Sequence, residues 1–237
     1  MRHLRGGVQS GWSPSSSVDY VISSSWDCSV KIWDPTPGAS QTPLFELKQN
    51  HKVYTMAVSK DLFLFVFAFT SRKLFLALDE RQIVVYDLKD LSKPLLNREC
   101  LLKYNTRSLC PLLDGSGFIV GSIEGRVGVE YLTESETNKP FSFRCHRTKD
   151  NFGTEMIYPV NAIAMHPVFG TFATGGADGS VCVWDAAAKK RLAYFPKWVC
   201  DGWLSVVTFL ELRVSLSTMT ERSLPSPAAT RSSRELR

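Results

Sequence analysis

At 237 residues, 44% apolar and 22% charged, the chain falls in the globular class and is long enough to bury about 70% of its unfolded surface. Its net charge of +5 is mild, favouring acidic partners such as phosphopeptides while falling short of a nucleic-acid footprint. Six scattered cysteines (Cys28, Cys100, Cys110, Cys145, Cys182, Cys200) form no C-x-x-C pair, which argues against a disulfide framework or zinc site and for a reducing compartment.

From the N-terminus, residues 1–7 are basic with no apolar h-region after them, so no signal peptide is expected. Residues 23–34 read SSSWDCSVKIWD: small residues, an Asp, an alternating apolar strand, then Trp-Asp. The greasiest stretch, 62–69, is eight residues long before Thr-Ser-Arg-Lys follows, against about 20 for a membrane-spanning helix. ERQIVVYD (80–87) and EGRVGVEY (124–131) repeat the alternation more faintly. Residues 133–140 and 147–156 read as polar spacers. The adjacent Cys145 and His146 alone make no metal site, since zinc takes three or four converging ligands. Strands are then expected over 159–166, 171–175, 180–184 and 190–195, with a tight Asp-Gly hairpin at 176–179. Beyond 196 the pattern fades. From Ser217 the Ser/Pro/Arg composition reads as disordered.

The second full copy, TGGADGSVCVWD (174–185), matches 23–34 in kind, and both place their Asp residues seven apart (Asp27 and Asp34, Asp178 and Asp185). The four copies end at Asp34, Asp87, Tyr131 and Asp185, intervals of 53, 44 and 54 residues. A propeller blade takes about 40–45 residues, so the middle interval fits and each long one holds a visible insertion. Four short strands per repeat give an all-β, WD-repeat β-propeller of about four blades. Trp33 and Trp184 are expected to pack, and Asp27 and Asp178 to fix turns. No Gly-rich phosphate loop, G-x-S-x-G or H-E-x-x-H occurs, and the four histidines are dispersed. No enzyme activity, cofactor, metal or small-molecule substrate is expected.

Several stretches occur in an order that resembles a particular family. They are VYTMAVS (53–59), QIVVYDL (82–88), LKYNTR (102–107), GSIEGRVGVEYL (121–132), FSFRCHR (141–147), IYPVNAIAMHP (157–167) and 170–185. Together they are similar to the Bub family of WD-repeat proteins of the mitotic spindle checkpoint, with the Rae-type messenger-RNA export factor as a close relative. The resemblance implies a seven-bladed ring that binds GLEBS-type segments of the Bub kinases across its top face and reads phosphorylated Met-Glu-Leu-Thr-like kinetochore repeats. It implies a nuclear and kinetochore location with a cytoplasmic pool, no membrane partner and no direct nucleic-acid contact. By matched motif it makes Trp26 a partner-contacting aromatic, and Arg107, Arg126 and Arg147 a basic cluster for acidic and phosphorylated partners. Residues 1–195 are then a partial propeller with an atypical insertion at 62–73 that interrupts a strand, and 196–237 an atypical, partly disordered tail. The same departures make a truncated or mis-spliced product the expectation. The alternatives are a Rae-type nuclear export adaptor and a non-functional product.

Overall fold

The computed structural model describes residues 8–9, 20–36, 42–59, 72–133, 135–136, 138–166 and 169–196. The short alternating runs separated by Gly, Asp and Pro become strands, as the turn chemistry dictates. The first sheet holds β1 (Val8–Gln9), β2 (Val21–Ser24), β3 (Ser29–Trp33) and β4 (Phe45–Lys48). The second holds β5 (Val53–Val58), β6 (Lys73–Leu78), β7 (Gln82–Asp87) and β8 (Asp90–Glu99). The third holds β9 (Thr106–Pro111), β10 (Gly117–Ser122), β11 (Arg126–Tyr131) and β12 (Phe141–Arg144). A separate hairpin, β13 (Arg147–Lys149) and β14 (Glu155–Ile157), precedes the fourth sheet. That sheet comprises β15 (Val160–Met165), β16 (Thr171–Gly176), β17 (Val181–Asp185) and β18 (Lys190–Phe195). Each four-stranded sheet is an antiparallel meander paired in sequence order, and no α-helix occurs among the described residues.

These are propeller blades, and burial shows why. Ile22, Val30, Ile32 and Leu47 of the first sheet pack on Met56, Leu74, Leu76 and Tyr86 of the second. Phe75, Ile83 and Val85 of the second meet Leu109, Phe118 and Val120 of the third. Ile119, Val127 and Val129 of the third meet Val160 and Phe172 of the fourth. Every core cluster therefore lies between two sheets rather than within one. A central strand covered on both faces reads as a continuous apolar run, and all six residues of β10 are buried. The first strands β5, β9 and β15 run beside one another, while the outer strand β18 is largely exposed. The sheets thus radiate from a shared inner edge.

Three features bear on the sequence expectations. The strands of the last repeat fall within a residue of those expected. Lys73, assigned to the insertion, is the first residue of β6 and pairs with Asp87, and β6 pairs along β5. The extra residues therefore connect two strands instead of interrupting one, which leaves the ladder intact. The spacer at 147–156 is mostly the β13–β14 hairpin. The expectations for 62–71 and for 197–237 lie outside the described residues.

Candidate partner-binding surface

In an antiparallel meander, the turn between second and third strands leaves the sheet at the same end as the link from the fourth strand to the next sheet. One end of the molecule therefore gathers 25–28, 79–81, 123–125 and 177–180 with 49–52, 100–105 and 145–159. Trp26 and the base of the β13–β14 hairpin lie in these segments, while Arg107 and Arg126 stand at the ends of β9 and β11 that open onto them. The sequence-predicted partner residues share this end.

The turns are built by their aspartates. Asp27 Oδ1 accepts the Ser29 amide at 2.9 Å and the Ser29 hydroxyl at 2.6 Å, and these bonds hold its carboxyl below the usual carboxylate range. Asp178 does the same for Ser180, at 3.1 Å to the amide and 2.7 Å to the hydroxyl. The Trp-Asp aspartates serve the opposite end: Asp34 caps the Thr36 amide at 2.9 Å and Asp185 the Ala188 amide at 2.9 Å. Trp33 donates its indole N–H to Ser23 at 2.8 Å, and Trp184 donates to Thr174 at 2.9 Å.

His146 completes a chain that sequence reasoning missed. Its side chain is wholly buried, with Nε2 2.9 Å from Thr174 Oγ1 and Nδ1 3.1 Å from Asp178 Oδ1. An indole can only donate. Thr174 Oγ1 therefore accepts from Trp184 and gives its own proton to His146 Nε2, leaving Nδ1–H to donate to Asp178. Burial opposes ionisation of Asp178, but the hydrogen bonds from His146 and Ser180 outweigh it and lower its pKa. The chain ties the third sheet's exit to the fourth sheet. A His paired with only one of the two clear repeats left no periodic signal to find it by.

Trp26 is half exposed and meets Tyr54 edge-on, ring centroids 6.2 Å apart. In the same turn position the other sheets carry Glu80, Ile123 and Ala177, so the turn itself does not call for an indole. Burial, and then the charge and hydrogen bond of Asp79, keep the Tyr54 phenol protonated by raising its pKa. Arg126 Nε stands 3.6 Å from Glu124 Oε2 with its side chain 30% exposed. Arg107 Nε reaches Asn161 Oδ1 at 3.4 Å. Arg147 is engaged more tightly: Nη2 donates to Glu124 O at 2.8 Å, Nε to Gly125 O at 3.4 Å and Nη1 to Glu155 at 3.1 Å. Only 13% of its side chain is exposed, and it pins the β13–β14 hairpin to the Glu-Gly-Arg turn. Arg126 and Arg147 thus flank one turn, Arg107 lies against the fourth sheet, and Trp26 sits over the second. Among the described residues no three His, Cys, Asp or Glu side chains converge as a metal site.

The WD domain, G-beta repeat family matches residues 3–34 and 153–185, the stretches that hold the two clear Trp-Asp copies. The chain is 39% identical over 188 residues to mitotic checkpoint protein BUB3.1 of Arabidopsis thaliana, covering 78% of this chain and 52% of that one. It is 37% identical over 224 residues to mitotic checkpoint protein bub-3 of Caenorhabditis elegans, covering 91% and 61%. Messenger-RNA export factor GLE2 of Chaetomium thermophilum is 35% identical over 176 residues, covering 74% and 45%. The chain spans roughly half of the length of these relatives. It is a WD-repeat protein related to the Bub-family mitotic checkpoint proteins and, beside them, to the messenger-RNA export factors.

Proposed function

We propose that the chain is a non-enzymatic, protein-binding scaffold of the mitotic spindle assembly checkpoint, working in the nucleus at kinetochores. Its turn-bearing end binds GLEBS-type segments of Bub-type checkpoint kinases and phosphorylated kinetochore repeats. The observation that carries this reading is the gathering of Trp26, Arg107 and Arg126 at one end of the stacked sheets. Arg126 matters most, because its ion pair with Glu124 is long at 3.6 Å and an incoming anion can replace it. A phosphothreonine brings about −1.5 to −2 charges and three acceptor oxygens, which a guanidinium engages through paired, directional bonds.

The test is fluorescence anisotropy with a labelled, phosphorylated Met-Glu-Leu-Thr peptide and a labelled GLEBS peptide. Arg126→Glu is expected to weaken the phosphopeptide by about tenfold or more, in line with loss of a charge-assisted bond. Trp26→Ala is expected to weaken the GLEBS peptide. The likeness to the export factors supports a second reading, a nucleic-acid-linked adaptor. Binding of single-stranded RNA with a steep salt slope, with neither peptide bound, would favour it and defeat the first.

A further inference from the structure

The β13–β14 hairpin is a surplus element: it pairs with no blade, yet it is held in one shape. Asp150 Oδ1 accepts the amides of Phe152 at 2.9 Å and Thr154 at 2.8 Å. Its backbone N–H donates to Thr154 O at 3.0 Å, and Gly153 N donates back to Asp150 O at 3.1 Å. Gly153 takes φ +81°, and a Cβ added there would meet nothing within 4 Å, so the tip stands clear of the molecule. On that tip Phe152 is 93% exposed. Met156 and Ile157 of β14 are exposed as well, and Ile157 lies opposite Arg147 in the ladder. The fold gains nothing from a phenyl ring held in water. An ordered hairpin loses little freedom when a partner covers it.

We propose that this hairpin is a specificity element of the turn-bearing end, and that Phe152, Met156 and Ile157 receive apolar side chains lying beside the anionic group of a bound phosphopeptide. The inference rests on the reading above and deepens it. The occupant follows from the chemistry of the neighbourhood. The hairpin's own acids are engaged, Asp150 with the tip amides and Glu155 with Arg147. What it presents outward is apolar surface and Lys149, next to Arg126. A segment alternating apolar and acidic residues around a phosphothreonine fits that order, with its phosphate at Arg126 and its apolar residues on the hairpin.

The probe is the same phosphorylated Met-Glu-Leu-Thr peptide, compared with a version whose Met and Leu are replaced by Ser. Phe152→Ala is expected to weaken the first peptide about tenfold, as for one buried ring, with the salt slope unchanged and the melting temperature unmoved. The Ser-substituted peptide is expected to bind wild type and Phe152→Ala alike. Equal binding of the original peptide to wild type and Phe152→Ala, with Arg126→Glu still damaging, overturns the hairpin's role and leaves the scaffold reading standing. Failure of the wild type to bind the peptide at all overturns both.

Discussion

Cys28, Arg81, Gly125 and Gly179 occupy one position in four turns, each just before a third strand, with φ of +67°, +62°, +62° and +77°. An L-residue there costs about 1–2 kcal/mol that glycine avoids. Gly179→Ala is therefore expected to destabilise by about 1–2 kcal/mol. Cys28→Gly is expected to stabilise by less than about 1 kcal/mol, because glycine's freedom in the unfolded chain offsets part of the relief. Urea midpoints of the two variants should move in opposite directions; movement in the same direction would defeat the account. Asp178 makes a second, pH-dependent case at this scale. Its folded pKa is lowered, so its contribution is fully present above the unfolded value of about 3.8 and is lost as pH falls through the lower folded value. Asp178→Asn should remove that share of the acid dependence, flattening thermal stability against pH below about pH 4 relative to wild type. The aspartates were legible because they recur seven residues before the Trp-Asp ends. His146 was not, because its ties run to Thr174 and Asp178 across sheets, where no local spacing points.

At the scale of elements, alternation and turn residues sufficed to place the strands of the last repeat, and the two faint copies proved to be β7 and β11. Those copies lack the Trp, yet they build the same strand because Ile83, Val85, Val127 and Val129 are wholly buried on both sides of the second-to-third junction and beyond. The hairpin was read as a spacer for a physical reason: five of its six strand residues are exposed or polar, so it has no buried face to write into the pattern. Arg147 likewise looked free from sequence, while the fold turns it inward. Between the second and third sheets sits another contact invisible to pattern. Glu130, 2% exposed, accepts the Leu101 amide at 2.8 Å and the Cys100 thiol at 3.2 Å, and pairs with Arg98 at 3.2 Å. Burial, then the Glu130 charge, pushes the Cys100 thiol up to about 12, which keeps its proton in place to donate. Glu130→Ala strands Arg98 and orphans the Leu101 amide, and is expected to cost about 3 kcal/mol or more, read as a fall in the urea midpoint. A cost under about 1 kcal/mol would mean the clip is ornamental to the junction.

For the whole molecule, the placement of the three apolar clusters decides how stability is shared. Since each lies between neighbouring sheets, a single sheet keeps little of its burial alone, and a stack of this kind behaves as units coupled to their nearest neighbours. The coupling between the first and second halves passes through the cluster where Phe75 and Phe118 meet, their centroids 5.8 Å apart and both rings wholly buried. Phe118→Ala removes one of those rings and leaves a cavity, at a cost of about 3–5 kcal/mol. The loss falls on the junction and not on β3 or β17, so the two halves should stop unfolding together. Hydrogen exchange followed by mass spectrometry in increasing urea is the measurement. In the wild type, peptides from β3 and β17 are expected to lose protection over the same range. In Phe118→Ala they are expected to part, each half keeping its own midpoint. If protection of both still vanishes in step in that variant, the sheets are coupled by something other than their shared apolar faces, and the nearest-neighbour account of this stack fails.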